Sequence, residues 1–233
     1  MSGFIFTAMN HYQTVRLNPT IIGLVLIGIT LSSAAGIRLV EAGRTTSKPT
    51  VERYRIDPGK STFMVRAFAG GLLWFKGKDH FIAVRDFSGE ATLTEGTIVP
   101  ATLQITIKSD SLVETRDIFT EQEKQIINKE LREIVLQPEK YPEITFKSTN
   151  ITGKLNSTGQ FETRIDGDLT LHGVTRRITI PANVTVSGSD LRARGDFTVE
   201  RSDFNVKATS AVHGMVRVRD KLKFTFDIVA HRT

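Results

Sequence analysis

The residues best equipped for chemistry are five histidines, His11, His80, His172, His213 and His231, and a few carboxylates that stand close together. Three neutral imidazoles suit a zinc ion, which makes His80, His172 and His213 the set to weigh. No two of them stand at a ligand spacing, so no metal site is expected. His172 precedes Gly173 in a short polar break between strand-like runs, where a turn role accounts for it. Asp166 and Asp168 lie two apart, which in a strand puts both carboxylates on one face, as an acid–base pair requires. A solvated strand face shows the same spacing. Arg201 and Asp203 also share a face, and an ion pair or a turn contact explains them. There is no Gly-x-Ser-x-Gly elbow. The absence of cysteine excludes thiolate nucleophiles, disulfides, cysteine zinc sites and iron–sulfur clusters. No catalytic residue and no cofactor is therefore expected, and an enzyme that processes small lipids with the help of a metal is the rival reading.

The elements that would hold these residues read in twos. From Arg53 onward the hydrophobic period is that of half-buried strands. Leu222, Phe224, Phe226, Ile228 and Ala230 alternate with Lys221, Lys223, Thr225 and Asp227. The runs Ile178 to Val186, Leu191 to Val199, Leu103 to Ile107, Phe63 to Ala67 and Ile165 to Leu171 repeat the pattern. Polar breaks that offer a glycine separate several of them, as at Asn156-Ser157-Thr158-Gly159 and Ser187-Gly188-Ser189-Asp190. Such tight connections join antiparallel neighbours. One segment departs from the rule. Thr120 and Glu123 form a capping-box pair, and Ile127, Leu131, Ile134 and Val135 then fall on one helical face until Gln137-Pro138. Sandwich and barrel share this alternation, but only a closed sheet has no edge, and an eight-stranded barrel can hold one small ligand.

The N-terminal residues read as an address. Arg16 is the one cation ahead of the apolar run Ile21 to Leu31, and Ser33, Ala34, Ala35 and Gly36 supply a cleavage site after Ala35 or Gly36. A membrane-crossing helix needs about 20 apolar residues, which this run does not reach. The domain reading is a signal peptide at 1–35, a flexible tether at 36–52 and the barrel at 53–233. It implies a periplasmic or secreted protein, with an uncleaved anchor facing outside the cytoplasm as the alternative. The net charge is +6, but 31 basic and 25 acidic residues are largely interspersed, which describes a solvated surface and not a nucleic-acid groove. Arg192 with Arg194, and Arg217 with Arg219, make short positive strips that could meet an anionic membrane surface transiently. Edge strands near the termini could pair two copies into a homodimer.

Several segments, in order, resemble the YceI-like family of exported, lipocalin-like polyisoprenoid-binding proteins. They are Tyr54-Arg55-Ile56-Asp57-Pro58, Asp86-Phe87-Ser88-Gly89-Glu90, Tyr141 to Thr149, Gly167 to Thr175, and Arg201-Ser202-Asp203-Phe204. The resemblance covers roughly residues 53–230. Asn205 stands where the family usually has glycine, which bears on the local backbone because asparagine tolerates positive φ less freely. The segment Phe68 to His80 departs further and could alter ligand preference.

The resemblance implies an eight-stranded antiparallel barrel with one helix over a rim, a long apolar channel, a bound isoprenoid or similar lipid, and no catalytic apparatus. It also puts Asp166 and Asp168 on the outer face. The candidate lining is Phe63, Val65, Phe87, Leu103, Ile105, Phe146, Leu169, Phe197, Phe204, Phe224 and Phe226. Periodicity alone reads these residues as a solid core; the resemblance reads them as the wall of a channel. Trp74 and Phe81 could gate its opening or pack under a loop. The expected role is carriage or sensing of an apolar lipid, and a stress-associated barrel with a filled interior is the remaining alternative.

Overall fold

The computed structural model describes residues 50–233 apart from Trp74, Lys76 and residues 212–214. The signal and most of the tether, His11, His213 and Trp74 therefore lie outside the described residues. The alternating runs form β1 (Val51–Ile56), β2 (Thr62–Gly70), β3 (His80–Val84), β4 (Phe87–Thr94), β5 (Ala101–Lys108) and β6 (Leu112–Glu114). After the helix α1 (Glu121–Glu130) come β7 (Glu143–Ser157), β8 (Gln160–Leu171), β9 (Val174–Ser187), β10 (Asp190–Glu200), β11 (Ser210–Ala211) and β12 (Val216–Arg232). Val51 and Glu52 already belong to β1, so the strand begins two residues inside the segment read as tether.

Every pairing is antiparallel, and three staves of the barrel are broken in the middle. β1 and β2 run along the same edge of β12, separated by a 3-10 turn at Pro58–Lys60. Asp57 caps that turn, its carboxylate accepting from the Gly59 amide at 3.0 Å. β4 and β3 continue one another beside β1 and β2, and β5 and β6 do the same one place further on. With each broken pair taken as one stave, the order runs through β7, β8, β9 and β10 to β12, which pairs with β1 and closes an eight-stranded barrel. The first and last strands are hydrogen-bonded to one another, with Tyr54 opposite Arg232 and Ile56 opposite Ala230. The free terminal edges expected for dimer pairing are consumed by this closure.

The two ends of the barrel differ. Around β1, Tyr54, Ile56, Leu93, Ile151, Phe161, Ile180, Leu191 and Ile228 are buried in one continuous core. Tyr54 is wholly buried and its hydroxyl donates to Glu52 at 2.7 Å. Burial first, and the neighbouring carboxylate second, push that phenol up to about 12. At the other end the sheet loosens. β9 and β10 pair only between Asn183–Ser187 and Asp190–Arg194. Beyond that register stands Pro181, which has no N–H to give. The 3-10 turn Arg201–Phe204 packs against β9, β10 and β12 there, with Phe204 almost fully buried.

α1 lies over the loosened end. Its capping box is complete, with the Glu123 amide donating to Thr120 Oγ1 and the Thr120 amide to Glu123 Oε2. From Leu131 to Leu136 the helix widens into a π turn. The extra residue per turn brings Leu136 beneath Leu131 and rotates Ile134 outward to 40 % exposure, off the face on which a regular helix would place it. Asn205 takes the left-handed conformation, at φ 55°, that closes the 3-10 turn, so asparagine serves here in place of glycine.

Candidate functional site

Under α1 the interior opens into an apolar cavity of about 500 Å³. Its inner end is made of phenyl rings. Phe197 and Phe224 are stacked at 4.9 Å, and Phe63 leans on Phe224 at 6.1 Å. Val65 and Ala67 of β2, Ile82 and Val84 of β3, and Leu169 and Leu171 of β8 form the walls. Leu131, Val135 and Leu136 close it from the helix side. Polar side chains gather at the outer end, where Lys78, His80, Glu123, Arg201, Lys207 and Arg217 reach the lining.

Of the expected lining residues, the fold brings Phe63, Val65, Leu169, Phe197 and Phe224 to this cavity. The others sit elsewhere, each for a local reason. Phe87 and Phe226 meet Phe63 edge-on, at 6.4 and 6.5 Å, and stand behind it. Phe226 lies over Gly195, where a Cβ would come within 2.8 Å of its Cζ. Phe146 covers Gly167 in the same way, at 2.4 Å. A glycine opposite an aromatic lets the ring lie down across the interior and fill it. Leu103 and Ile105 face inward beside this filled part, opposite Ala91 and Phe146. Phe204 is 1 % exposed and seals the gap between β9 and β10. Phe81 is on the outer face, between the guanidinium groups of Arg66 and Arg116 at 5.5 and 5.0 Å. Its strand alternates so that His80 and Ile82 point inward instead. That alternation was concealed by the unbroken apolar run Phe81-Ile82-Ala83-Val84.

The outer end is electrostatically structured. Glu114 has a completely buried side chain, yet it is well supplied with donors. The amides of Phe81, Thr115 and Arg116 donate to Oε1 at 3.2, 3.0 and 2.8 Å, and His80 Nδ1 lies 2.8 Å from Oε2. Burial is the largest single influence and would raise this carboxyl; the His80 bond and the amides together outweigh it and hold it below the usual range. The His80 ring is stacked on Phe119 at 5.3 Å, nearly parallel. Lys78 faces Glu123 across 3.8 Å, and Arg201 donates to the Val206 carbonyl at 2.8 Å. Lys207 and Arg217 have no carboxylate partner among the described residues.

The remaining chemical candidates are structural in place. His172 and Gly173 both have positive φ in the β8–β9 turn, and the imidazole packs on Tyr141 with centroids 4.1 Å apart. Burial, and secondarily Lys140 and Lys207, keep that histidine below its ordinary pKa. Asp166 accepts from the Thr179 hydroxyl at 2.6 Å, and Asp168 pairs with Arg177 at 2.9 Å, both on the outer face. Among the described residues no group of three or more histidines and carboxylates could hold a metal ion. Arg201 pairs with Asp220 and not with Asp203.

The sequence matches the YceI-like domain over residues 54–230. It is 30% identical over 192 residues to protein YceI of Escherichia coli, covering 78% of this chain and 86% of that protein. A UPF0312 protein of Pseudomonas savastanoi is 36% identical over 104 residues, 41% of this chain and 50% of the relative. The chain thus spans about half the length of such curated relatives. Among solved structures, Burkholderia cenocepacia BcnA is similar with a TM-score of 0.57 at 20% identity, covering 75% of this chain and 98% of that one. A polyisoprenoid binding domain from Saccharophagus degradans is similar with a TM-score of 0.54 at 12% identity, covering 80% and 100%. At such identities the structural likeness speaks for the fold.

Proposed function

The chain belongs to the family of YceI-like domains, and from that premise we propose that it binds an isoprenoid-like apolar lipid, tail first, in the cavity beneath α1. The observation that carries this reading is the cavity itself, an apolar space of about 500 Å³ ending on stacked phenyl rings. At about 30 Å³ per water-sized group, this holds on the order of 16 heavy atoms, close to three isoprene units. Each CH₂ withdrawn from water contributes about 0.8 kcal/mol, so a chain of that size binds with few hydrogen bonds. The chemical class is the one named for the Saccharophagus degradans domain of the same fold. Binding, without chemistry on the lipid, is the activity proposed.

The outer end suits exchange with a membrane. Leu72 and Ile126 are 78 % and 61 % exposed there, beside Lys207 and Arg217, which have no carboxylate partner among the described residues. Transient contact with an anionic bilayer would let a lipid enter without crossing water. The proposal places the protein outside the cytoplasm, on the strength of the apolar run and small residues before Gly36. The intact mass of the mature protein is expected to lack residues 1–35 or 1–36, and retention of Met1 would exclude cleavage.

Native mass spectrometry after purification without detergent tests the binding role. A co-purifying apolar molecule, or saturable uptake of added farnesol, is the expected result. Neither being seen would overturn it.

A further inference from the structure

Among the polar side chains that reach the outer end of the cavity, His80 is the one held by a buried carboxylate, that of Glu114 behind it. A carboxylate with no exposure costs several kcal/mol unless it is paired and hydrogen-bonded. Glu114 meets that need with three backbone amides on Oε1 and His80 Nδ1 on Oε2. An ionised Glu114 accepts only, so the imidazole hydrogen is on Nδ1, and in the neutral ring Nε2 keeps its lone pair. The ring cannot turn freely, because Phe119 is stacked on it at 5.3 Å. Nε2 makes no hydrogen bond with a described residue. The buried unpaired side-chain atoms among those residues are the His172 nitrogens and Arg201 Nε. His80 Nε2 is therefore neither buried nor bonded among the described residues, an acceptor on a side chain that lines the cavity at its rim.

We propose that His80 is the polar anchor of the cavity, its Nε2 accepting a hydrogen bond from the hydroxyl of an amphiphile such as a prenol or phenol. The tail runs inward to Phe63 and Phe224, and Glu114 fixes the imidazole in the accepting tautomer. The inference rests on the lipid-binding reading and narrows it, from any apolar chain to one that ends in an O–H donor. A hydrocarbon or an ether of the same length fills the cavity equally well but leaves Nε2 unpaired.

Calorimetric titration of the full chain with farnesol and with farnesyl methyl ether tests this. Farnesol is expected to bind roughly five- to tenfold more tightly, the net worth of one hydrogen bond. In the double variant H80F/E114Q, which keeps the ring on Phe119 and leaves no unpaired charge, the ratio of the two affinities is expected to fall to near unity. Glu114→Gln alone, which frees the other tautomer, is expected to reduce the ratio while His80 remains. Equal affinities in the parent protein, or a ratio that survives in the double variant, would overturn the anchor and leave the lipid-binding reading standing. Failure of both compounds to bind the parent protein would overturn the two together.

Discussion

At the scale of single residues, the shape of the interior is set by side chains that are missing. Gly167 sits under the Phe146 ring, and a Cβ there would lie 2.4 Å from Cζ and 2.6 Å from the Lys147 carbonyl oxygen. The ring could rotate away, but the backbone oxygen cannot. Gly167→Ala is expected to lower stability by about 2 kcal/mol, the cost of overpacking, as read from a urea unfolding midpoint. Asn205 makes the complementary point. Its φ of 55° suits asparagine or glycine, while a residue unable to bond locally meets the full left-handed strain. Asn205→Ala is expected to cost about 1 kcal/mol, and Asn205→Gly to change stability little. Equal effects from the two substitutions would show that the side chain, not the backbone, matters there.

At the scale of elements, the helix over the cavity is held at its start by a reciprocal pair of hydrogen bonds and at its end by a π turn. It is also tied to the sheet, because the Glu114 amide donates to Asn128 Oδ1 at 2.8 Å. Removing the cap with Thr120→Ala is expected to cost about 1 kcal/mol locally, which speeds hydrogen exchange of the Glu123 and Lys124 amides about fivefold. Release of a bound prenol should quicken with it, since Leu131 and Val135 form one side of the cavity. Unchanged release in the presence of faster exchange would mean that the ligand leaves by another route.

At the scale of the whole molecule, the barrel is divided between a packed half and an open half. Leu169 stands on the wall of the open half. Leu169→Trp is expected to fold and to abolish prenol uptake, because the indole occupies the volume the tail would take. Persistent binding in that variant would locate the ligand elsewhere. The outside of the barrel sets its acid response. Asp227 holds Arg192 at 2.6 Å and Arg194 at 2.9 Å, and the Arg192 hydrogen bond, ahead of opposing burial and the Arg194 bond, lowers its carboxyl to about 2. A depressed carboxylate contributes stability that is complete above the unfolded pKa of about 3.9 and is lost as pH falls through the folded value. The melting temperature is therefore expected to hold down to about pH 4 and to fall between about 4 and 2. Asp227→Asn should flatten part of that fall, and added salt should weaken it, since these groups are partly exposed. A decline that begins well above pH 5 would implicate His172 instead, whose lowered pKa gives stability that is lost on acidification below the ordinary imidazole range.

Whatever depends on neighbours in the chain was legible from the residues alone. Alternation in Leu222 to Ala230 told inward from outward, glycine-bearing breaks told where strands reverse, and Thr120 with Glu123 marked a helix start. The ordered segments from Tyr54 to Phe204 pointed to an eight-stranded closed sheet. Period two, however, says which way a side chain faces and not what it meets at a given depth. Whether an inward phenylalanine fills the interior or borders a void depended on glycines in other parts of the chain, Gly167 for Phe146 and Gly195 for Phe226. The pairing of His80 with Glu114, 34 positions apart, depended likewise on β3 lying beside β6. Local chemistry fixed the staves and their faces; only the closed sheet brought distant residues to one level, and that decided where the space is and what stands at its rim.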